Sequence, residues 1–455
     1  FSMWIGMRVL GLIDTVKERF FGERKFSATG YGILALAFVF VPLNMARTNF
    51  QEANRSGNYV AWDYSYNLLQ SCDRDAIIFT NGDNDTFPLW YLQDVEGIRR
   101  DIRVVNLSLL NTPWYIDQLK NQEPHGAKKV PISRPDPQIA TIQPMQYQPQ
   151  SFDLPVPKHV LDEYGVNDPE VHRKEAITFT MPAPLQFGNI TALRVQDIMV
   201  LDIVFSSRWE RPVYFAMTVS DDGKIGLRDY LRMEGLAFRF TPVKEPRYFA
   251  NMNEPRMRAH LFTDIETPSP EPHIGFRWRG LNDSTVYFDE DVRRLMMNYR
   301  SAFFALGYYY AEVEKQPSKF AEVLDRMEEV VPRQMLPMSA GMKFELANIY
   351  TMAVRKDEAR SILLEVVADL KPQADRPTPY RMAPDNPHIL LLQVYEGLEM
   401  FDEAEALLES IRTIYAAEQG VDQFVNERRA FMEQLRAQVR AGFDSAAIAV
   451  PSDRQ

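Results

Sequence analysis

Asp75-Ala-Ile-Ile-Phe-Thr80, followed directly by Asn81-Gly-Asp-Asn-Asp-Thr86, determines how the central part of this chain folds. The apolar run predicts a buried strand, and the turn residues after it predict a helix over 86–99. Residues 102–107 and 113–121 repeat this order as a second strand and a second helix. Two strand–helix units in succession favour a parallel sheet with right-handed crossovers.

Further elements extend this α/β pattern to about residue 243. We expect a helix over 193–205, strands over 212–218 and 236–242, and a short helix over 227–234. The sheet then has at least four strands and is mostly parallel, in a Rossmann-like arrangement. Eight prolines between residues 124 and 157 interrupt the pattern, which predicts an insertion that runs over the surface.

An uncharged segment precedes this domain. Residues 26–46 contain no charged side chain, and about 21 residues at about 1.5 Å each match the roughly 30 Å hydrocarbon core of a bilayer. We therefore predict one transmembrane helix over 26–47, with a buried core helix as the alternative. Basic residues crowd its N-terminal side, which predicts an interfacial or truncated membrane helix over 1–25 on the cytoplasmic side and an extracytoplasmic, periplasmic location after residue 50.

Beyond residue 289 the sequence is almost wholly helical and repeats itself. Tyr350, Asp357-Glu-Ala359, Leu363 and Val366 recur after 45 residues as Tyr395, Asp402-Glu-Ala404, Leu408 and Ile411. This order of aromatic, small and aliphatic residues is typical of tetratricopeptide-like helical hairpins, and a Pro-rich loop over 371–386 lengthens the period. The predicted domains are thus α/β over 50–249, a linker over 250–288, helical repeats over 289–445 and a tail over 446–455.

Composition excludes several classes of function. The chain of 455 residues carries a formal net charge of -11, so it offers no broad basic surface to nucleic acid. Its single cysteine, Cys72, excludes an intramolecular disulfide and a cysteine-based zinc site, and its six histidines never pair at helical spacing. No dinucleotide, P-loop, nucleophile-elbow or His-Glu-x-x-His motif occurs, so no cofactor and no metal are expected.

Five longer motifs resemble one membrane protein family. They are Ser56-Gly-Asn-Tyr-Val-Ala-Trp-Asp-Tyr-Ser-Tyr-Asn-Leu-Leu-Gln70, Phe79-Thr-Asn-Gly-Asp-Asn-Asp-Thr-Phe-Pro-Leu-Trp-Tyr91, Val104-Val-Asn-Leu-Ser-Leu-Leu-Asn-Thr-Pro-Trp-Tyr115, Trp209-Glu-Arg-Pro-Val-Tyr-Phe215 and Tyr230-Leu-Arg-Met-Glu-Gly-Leu236. The family is domain of unknown function 2723 (DUF2723), which is grouped with protein O-mannosyltransferase-like proteins as glycosyltransferase family 117. The resemblance runs from the uncharged segment to about residue 242.

The resemblance implies a polytopic membrane glycosyltransferase that takes sugar from a lipid-phosphate carrier. The carboxylate that acts on the acceptor in such enzymes lies in an early loop that nothing in residues 1–455 matches. We therefore expect this chain to be an extracytoplasmic accessory part that lacks the catalytic residues. Its implied partners are membrane lipid, a lipid-linked sugar bound through the missing N-terminal part, a polypeptide or glycan acceptor, and a protein partner on the helical repeats. Two alternatives are a non-catalytic membrane-tethered repeat scaffold and a self-contained metal-dependent enzyme at Asp83 and Asp85.

Polar and aromatic side chains cluster where the first two predicted strands end. In open α/β sheets this carboxyl edge is where ligands bind, although the same residues also cap helices. The acidic turn therefore has three interpretations: a helix cap only, a site for a polar ligand, or a metal site. We expect Asp85, next to the predicted helix start, to contribute more to binding than Asp83. The candidate ligand-binding residues are Asp83, Asn84, Asp85, Thr86, Trp90, Tyr91, Asn106, Asn111, Arg194 and Asp197.

Overall fold

A computed structural model describes residues 28–188, 190–247, 249–374, 376 and 386–440, together with positions 7, 8, 11, 14, 15, 18 and 19. The chain divides into two compact units, residues 1–58 with 284–290 and residues 59–283 with 291–455. Almost all of the predicted segment 1–25, most of the loop 371–386 and the whole predicted tail 446–455 lie outside the described residues.

The helices are α1 (Ala28–Ala53), α2 (Val60–Gln70), α3 (Asp83–Asp94), α4 (Pro113–Asn121), α5 (Asp136–Ala140), α6 (Lys158–Glu163), α7 (Pro169–Lys174), α8 (Val195–Ser207), α9 (Glu254–Phe262), α10 (Glu290–Tyr308), α11 (Pro317–Val330), α12 (Ala340–Met352), α13 (Lys356–Leu370), α14 (Pro387–Gly397), α15 (Phe401–Ile414) and α16 (Val421–Arg440). The strands are β1 (Ile77–Thr80), β2 (Arg103–Asn106), β3 (Met145–Gln146), β4 (Gln150–Pro155), β5 (Ala176–Met181), β6 (Leu185–Phe187), β7 (Ile190–Leu193), β8 (Val213–Ala216), β9 (Leu231–Glu234) and β10 (Ala237–Phe240).

The structure of helix α1, in the first unit, contradicts the predicted transmembrane helix over 26–47. Among the described residues, no helix is both long and apolar enough to cross a membrane. The unbroken apolar run inside α1, residues 33–41, is only about 14 Å long at about 1.5 Å per residue. Pro42, Asn44 and Arg47 follow this run within the helix. The span prediction is wrong because a segment without charges is not the same as a segment of sufficient apolar length.

The second unit is built on a five-stranded mixed sheet with the order β2-β1-β8-β10-β9. Strand β1 pairs in parallel with both β2 and β8, and Phe79 lies in register with Val105 and Phe215. Strand β10 runs antiparallel to β8 and to β9. The predicted mostly parallel, Rossmann-like sheet is therefore corrected to three parallel strands that continue into an antiparallel hairpin, although the α/β domain followed by helices is confirmed in outline.

Strand β9 occupies residues for which a short helix is expected. Leu231 and Met233 alternate with Arg232 and Glu234, which is the period of a strand rather than of a helix. Gly235 has φ +67° and joins β9 to β10 through a loop of two residues. A side chain at this glycine would lie 2.2 Å from the Ser71 hydroxyl, so the turn also fits closely against the end of α2.

Residues 124–193 and 250–283 are more ordered than their proline content predicts. The Pro-rich insertion contributes α5, β3 and β4, and strands β3 to β7 form two small sheets, ordered β3-β7-β6 and β4-β5. In the predicted linker, α9 buries Met257 and Leu261 completely, and Phe276 is also fully buried. Both segments therefore add apolar core to the second unit.

Consecutive helices from α10 to α16 follow the sheet, and the 45-residue repeat coincides with two helical hairpins. Hairpin α12–α13 contains the first copy and hairpin α14–α15 the second. The equivalent aromatic, small and aliphatic positions are buried in both copies: Tyr350 and Tyr395, Ala359 and Ala404, Val366 and Ile411. The repetition is thus one of packing positions, and its tetratricopeptide-like character stays a prediction.

The contact between α10 and α11 gives a test of this packing. A methyl group on Gly307 would lie 2.0 Å from Phe320 Cε2, whereas one on Gly341 of α12 would meet nothing within 4 Å. We expect Gly307→Ala to lower the free energy of unfolding by about 1–3 kcal/mol through overpacking. Gly341→Ala should leave it unchanged or raise it by up to about 1 kcal/mol, since alanine favours the helix. Urea denaturation of both variants measures these changes in the free energy of unfolding. Equal changes in the two variants would contradict the prediction.

A buried carboxyl in the repeats predicts a pH dependence of stability. Burial raises the pKa of Glu396 to about 7, although Arg428 opposes this shift. Because the folded-state pKa exceeds the unfolded one, the stability that Glu396 contributes is complete below about pH 4.5 and is lost as pH rises towards 7. The melting temperature of Glu396→Gln minus that of the wild type should therefore increase over this interval. A difference in melting temperature that stays constant with pH would disprove the raised pKa of Glu396.

Candidate ligand-binding site at the carboxyl edge of the sheet

Helix α3 begins at Asp83, three residues earlier than expected, and this places Asp85 inside its first turn. Gly82 is the N-cap residue and has no side chain with which to cap the helix. Asp85 instead accepts hydrogen bonds from the backbone N–H of Asn81 at 3.0 Å and of Gly82 at 2.8 Å. Asp85 is therefore the carboxylate half of a capping box, and it fixes the turn between β1 and α3.

The same carboxylate also bridges two strands. Thr218, just after β8, donates its hydroxyl hydrogen bond to Asp85 Oδ2. The chain leaves β1 towards β2 and later returns on the other side of β1 to form β8, so the ends of β1 and β8 flank the switch point where such sheets usually bind ligands. The Asp85 side chain is buried at this point.

A second polar network joins the ends of β1 and β2. Asn106 donates through Nδ2 to Thr86 Oγ1 at 2.9 Å, and the hydroxyls of Thr86 and Thr80 lie 2.7 Å apart. The Asn106 Oδ1 atom accepts from the backbone N–H of Leu109 at 2.9 Å. Thr86 and Asn106, both expected to bind a ligand, are therefore buried and engaged with the protein itself.

Three further predicted residues, Asn111, Arg194 and Asp197, meet where α8 begins. Asn111 exchanges hydrogen bonds with Gln196, through Nδ2 to Oε1 at 2.8 Å and through Oδ1 to the backbone N–H at 3.1 Å. Arg194 contacts the buried Asp197 at 2.8 Å and reaches Asp222 at 2.8 Å with its other terminal nitrogen. A hydrogen bond from Ser220, followed by those from Arg194, lowers the pKa of Asp222 despite its partial burial. These contacts tie the loops after β2 and β8 to α8.

Only part of the predicted set is open to a ligand. Asp83, Asn84 and Asn111 are exposed, Tyr91 is 47% exposed, and Trp90 is half-buried. Phe87 and Trp114, outside the predicted set, are 50% and 59% exposed. The geometry therefore favours Asp83 and Asn84, rather than Asp85, as polar groups that a ligand can reach.

Aromatic rings connect the exposed faces of α3 and α4. Phe87 stacks on Trp90 with ring centres 5.5 Å apart, and Trp90 lies 6.5 Å from Tyr115. Tyr115 in turn meets Trp114 edge-on at 5.6 Å. We call Phe87, Trp90, Tyr115 and Trp114 the aromatic ladder. Its two outer rings face solvent while its inner members hold them in place.

A metal site has no support at the acidic turn. Throughout the parts of the chain that the structure describes, no group of three or more His, Cys, Asp or Glu side chains is placed to hold a metal ion. Both Asp85 oxygens already accept hydrogen bonds from Asn81, Gly82 and Thr218. Asp85 is therefore engaged by the protein itself.

The predicted set lacks five residues that contribute to this edge: Phe87, Trp114, Tyr115, Gln196 and Thr218. Phe87 lies four residues after Asp83 and so shares a helix face with it, which a helix start at 83 reveals at once. The partners of Asp85 and Asn111 come from 133 and 85 residues further along the chain. No local pattern indicates contacts at such separations.

Comparison with known proteins shows that the α/β domain is similar to one protein family. Residues 61–148 and 129–258 match the family model described as TMEM260-associated domain 2, a region that contains all ten strands. Residues 61–258 are therefore similar to this domain, and we call them the TMEM260-like domain. A stretch of 77 residues is 31% identical to mouse protein O-mannosyl-transferase TMEM260, and it covers 17% of this chain and 11% of that protein. No solved structure matches the chain.

These matches bear on the resemblance drawn from the motifs. They support a TMEM260-like family, and the relative that they name is an O-mannosyl-transferase. Membership of DUF2723 and of glycosyltransferase family 117 stays a prediction. The aligned stretch spans 11% of the length of the mouse protein.

The two aspartates of the turn should respond differently to the same substitution. Asp85→Asn replaces one of two acceptor oxygens by an NH2 group facing N–H donors, so we expect it to lower the free energy of unfolding by about 1–3 kcal/mol. Asp83→Asn, at an exposed position, should change it by less than about 0.5 kcal/mol. Urea denaturation of the two variants measures the difference. Equal effects would show that Asp85 does not hold the TMEM260-like domain together at this edge.

Proposed function

We propose that the TMEM260-like domain binds a glycan, or the glycan-bearing acceptor of a glycosyl transfer reaction, on the exposed carboxyl edge of its sheet. The observation that carries this proposal is the aromatic ladder beside Asp83 and Asn84. Flat aromatic faces cover the apolar faces of sugar rings, while carboxylate and amide groups hydrogen-bond to sugar hydroxyls. Similarity to an O-mannosyl-transferase supports a role related to glycosyl transfer.

The aromatic ladder has the properties that carbohydrate recognition requires. Phe87 and Trp114 expose half or more of their surface, yet each is braced by an inner ring, Trp90 or Tyr115. A braced ring loses little conformational freedom on binding, which lowers the entropic cost of association. Tyr91 follows Trp90 directly in the same helix and adds a hydroxyl group. This hydroxyl donates a hydrogen bond to Glu96 at 2.8 Å.

The chemistry of transfer is not assigned to this edge. Asp85 is the buried carboxylate of the turn, and its oxygens are engaged by Asn81, Gly82 and Thr218. Asp83 is exposed, which suits hydrogen bonding to an acceptor. The proposed role is therefore recognition of the substrate rather than catalysis of the transfer step.

Substitutions on the aromatic ladder test the proposal. The wild-type chain is first screened on a glycan array that includes mannosides, and binders are then titrated by calorimetry. Phe87→Ala and Trp114→Ala should each weaken binding by about 0.5–1.5 kcal/mol, which is roughly two- to tenfold. Asp83→Asn should weaken it about tenfold or more through loss of a charge-assisted hydrogen bond.

A matched control separates binding from general surface effects. Leu364 is 47% exposed on α13, so Leu364→Ala removes an apolar side chain of similar exposure from a helix outside the TMEM260-like domain. It should leave glycan affinity unchanged. Absence of any glycan bound by the wild type, or equal losses in all variants, would overturn the proposal.

A further inference from the structure

Three arginines converge on one buried carboxylate on the edge hairpin β9–β10. The Glu234 side chain is fully buried. Its oxygens lie 2.6 Å from Arg232, 3.1 Å from Arg256 and 3.9 Å from Arg239. Like charges repel, so three guanidinium groups this close require compensation by anions. We call Arg232, Arg239 and Arg256 the arginine cluster.

Among the residues that the structure describes, two carboxylates contact these three guanidinium groups. Asp73 pairs with both Arg239 and Arg256, and Glu234 is the second carboxylate in contact. Tyr214 also contacts Glu234 and donates a hydrogen bond to it at 2.9 Å. Burial raises the pKa of this tyrosine well above its ordinary value, so its hydroxyl adds no negative charge. Two carboxylates against three guanidinium groups leave one positive charge in excess, within a chain whose net charge is -11.

The arginine cluster also has donors to spare. The Nε atom of Arg256 is buried and has no hydrogen-bond partner in the described part of the chain. Arg239 uses only one terminal nitrogen for its carboxylate contacts, and Arg232 uses Nε and one terminal nitrogen. The three side chains are only 16–24% exposed, so an anion bound there would be largely removed from water.

Aromatic contacts hold the guanidinium groups in fixed positions. The ring of Tyr164, which follows α6, lies 5.4 Å from Arg232 Cζ and 5.8 Å from Arg239 Cζ. Such cation–π contacts limit rotation of the long side chains, so fewer rotamers are lost when a ligand binds. A preorganised set of forked donors is the arrangement that proteins use for oxyanions.

We propose that the arginine cluster binds a phosphate group. A phosphate offers three or four oxygens to the unused N–H donors of three guanidinium groups, whereas a carboxylate offers two. It also supplies the negative charge that Asp73 and Glu234 leave uncompensated. This site lies on β9, three interstrand steps and so about 14 Å from β1. It does not depend on the glycan proposal.

Paired substitutions in the full chain test this site with inorganic phosphate as the probe. Arg232→Gln should weaken phosphate binding about tenfold or more, while Glu234 keeps Arg256, Tyr214 and Asn253 as partners and the fold is retained. Arg247→Gln is the matched control, since Arg247 also forks onto a carboxylate two residues away, Glu245, but on the exposed surface. It should leave phosphate affinity unchanged.

A charge change in the opposite direction makes the test sharper. Asp73→Asn keeps an acceptor oxygen and removes one negative charge, so phosphate affinity should rise by about threefold or more. Calorimetric titration and the phosphate-dependent rise in melting temperature measure both effects, with chloride at equal ionic strength as the reference. No phosphate binding by the wild type, equal losses in Arg232→Gln and Arg247→Gln, or weaker binding by Asp73→Asn would overturn the proposal.

Discussion

The carboxyl edge of the sheet depends on one carboxylate. Asp85 accepts two backbone hydrogen bonds from the turn after β1 and one hydroxyl hydrogen bond from Thr218 after β8. Past the ends of β1 and β8 the chain runs towards opposite edges of the sheet, and the register between these two strands ends at Phe79 and Phe215. Because the side chain is buried, these bonds are shielded from water and stronger than they would be on the surface.

This constraint separates the polar groups of the edge into two classes. Asp85, Thr86, Asn106 and Asp197 are buried and serve the fold, whereas Asp83, Asn84 and Asn111 remain exposed. A residue type that is suited to binding is therefore an incomplete guide to a binding role. The exposed rings of the aromatic ladder belong to helices α3 and α4, and the buried polar network fixes where these helices begin.

The sequence was sufficient for the parts of the fold that depend on local pattern. Apolar runs located four strands of the main sheet, and α4 spans the same residues as its prediction, 113–121. Strand β9 was missed because its alternation is only four residues long and adjoins a turn. The predicted membrane span is wrong for a different reason: residues 26–46 carry no charge, but the unbroken apolar run within α1 covers only 33–41. Asp85 and Thr218 lie 133 residues apart, and no periodicity connects them.

The edge hairpin has a consequence for association between chains. Exposed strand edges can pair with other molecules and so promote aggregation. In this sheet the outer edge of β9 is occupied, because Met233 exchanges backbone hydrogen bonds with Asn251 and Asn253. The other edge strand, β2, is only four residues long and carries the buried Arg103, whose NH1 group donates to the carbonyl of Gln122. A partner strand would have to displace these contacts of β9 at one edge, or those of the Tyr115 hydroxyl with the backbone of Val104 and Asn106 at the other. The sheet therefore resists extension by a second copy.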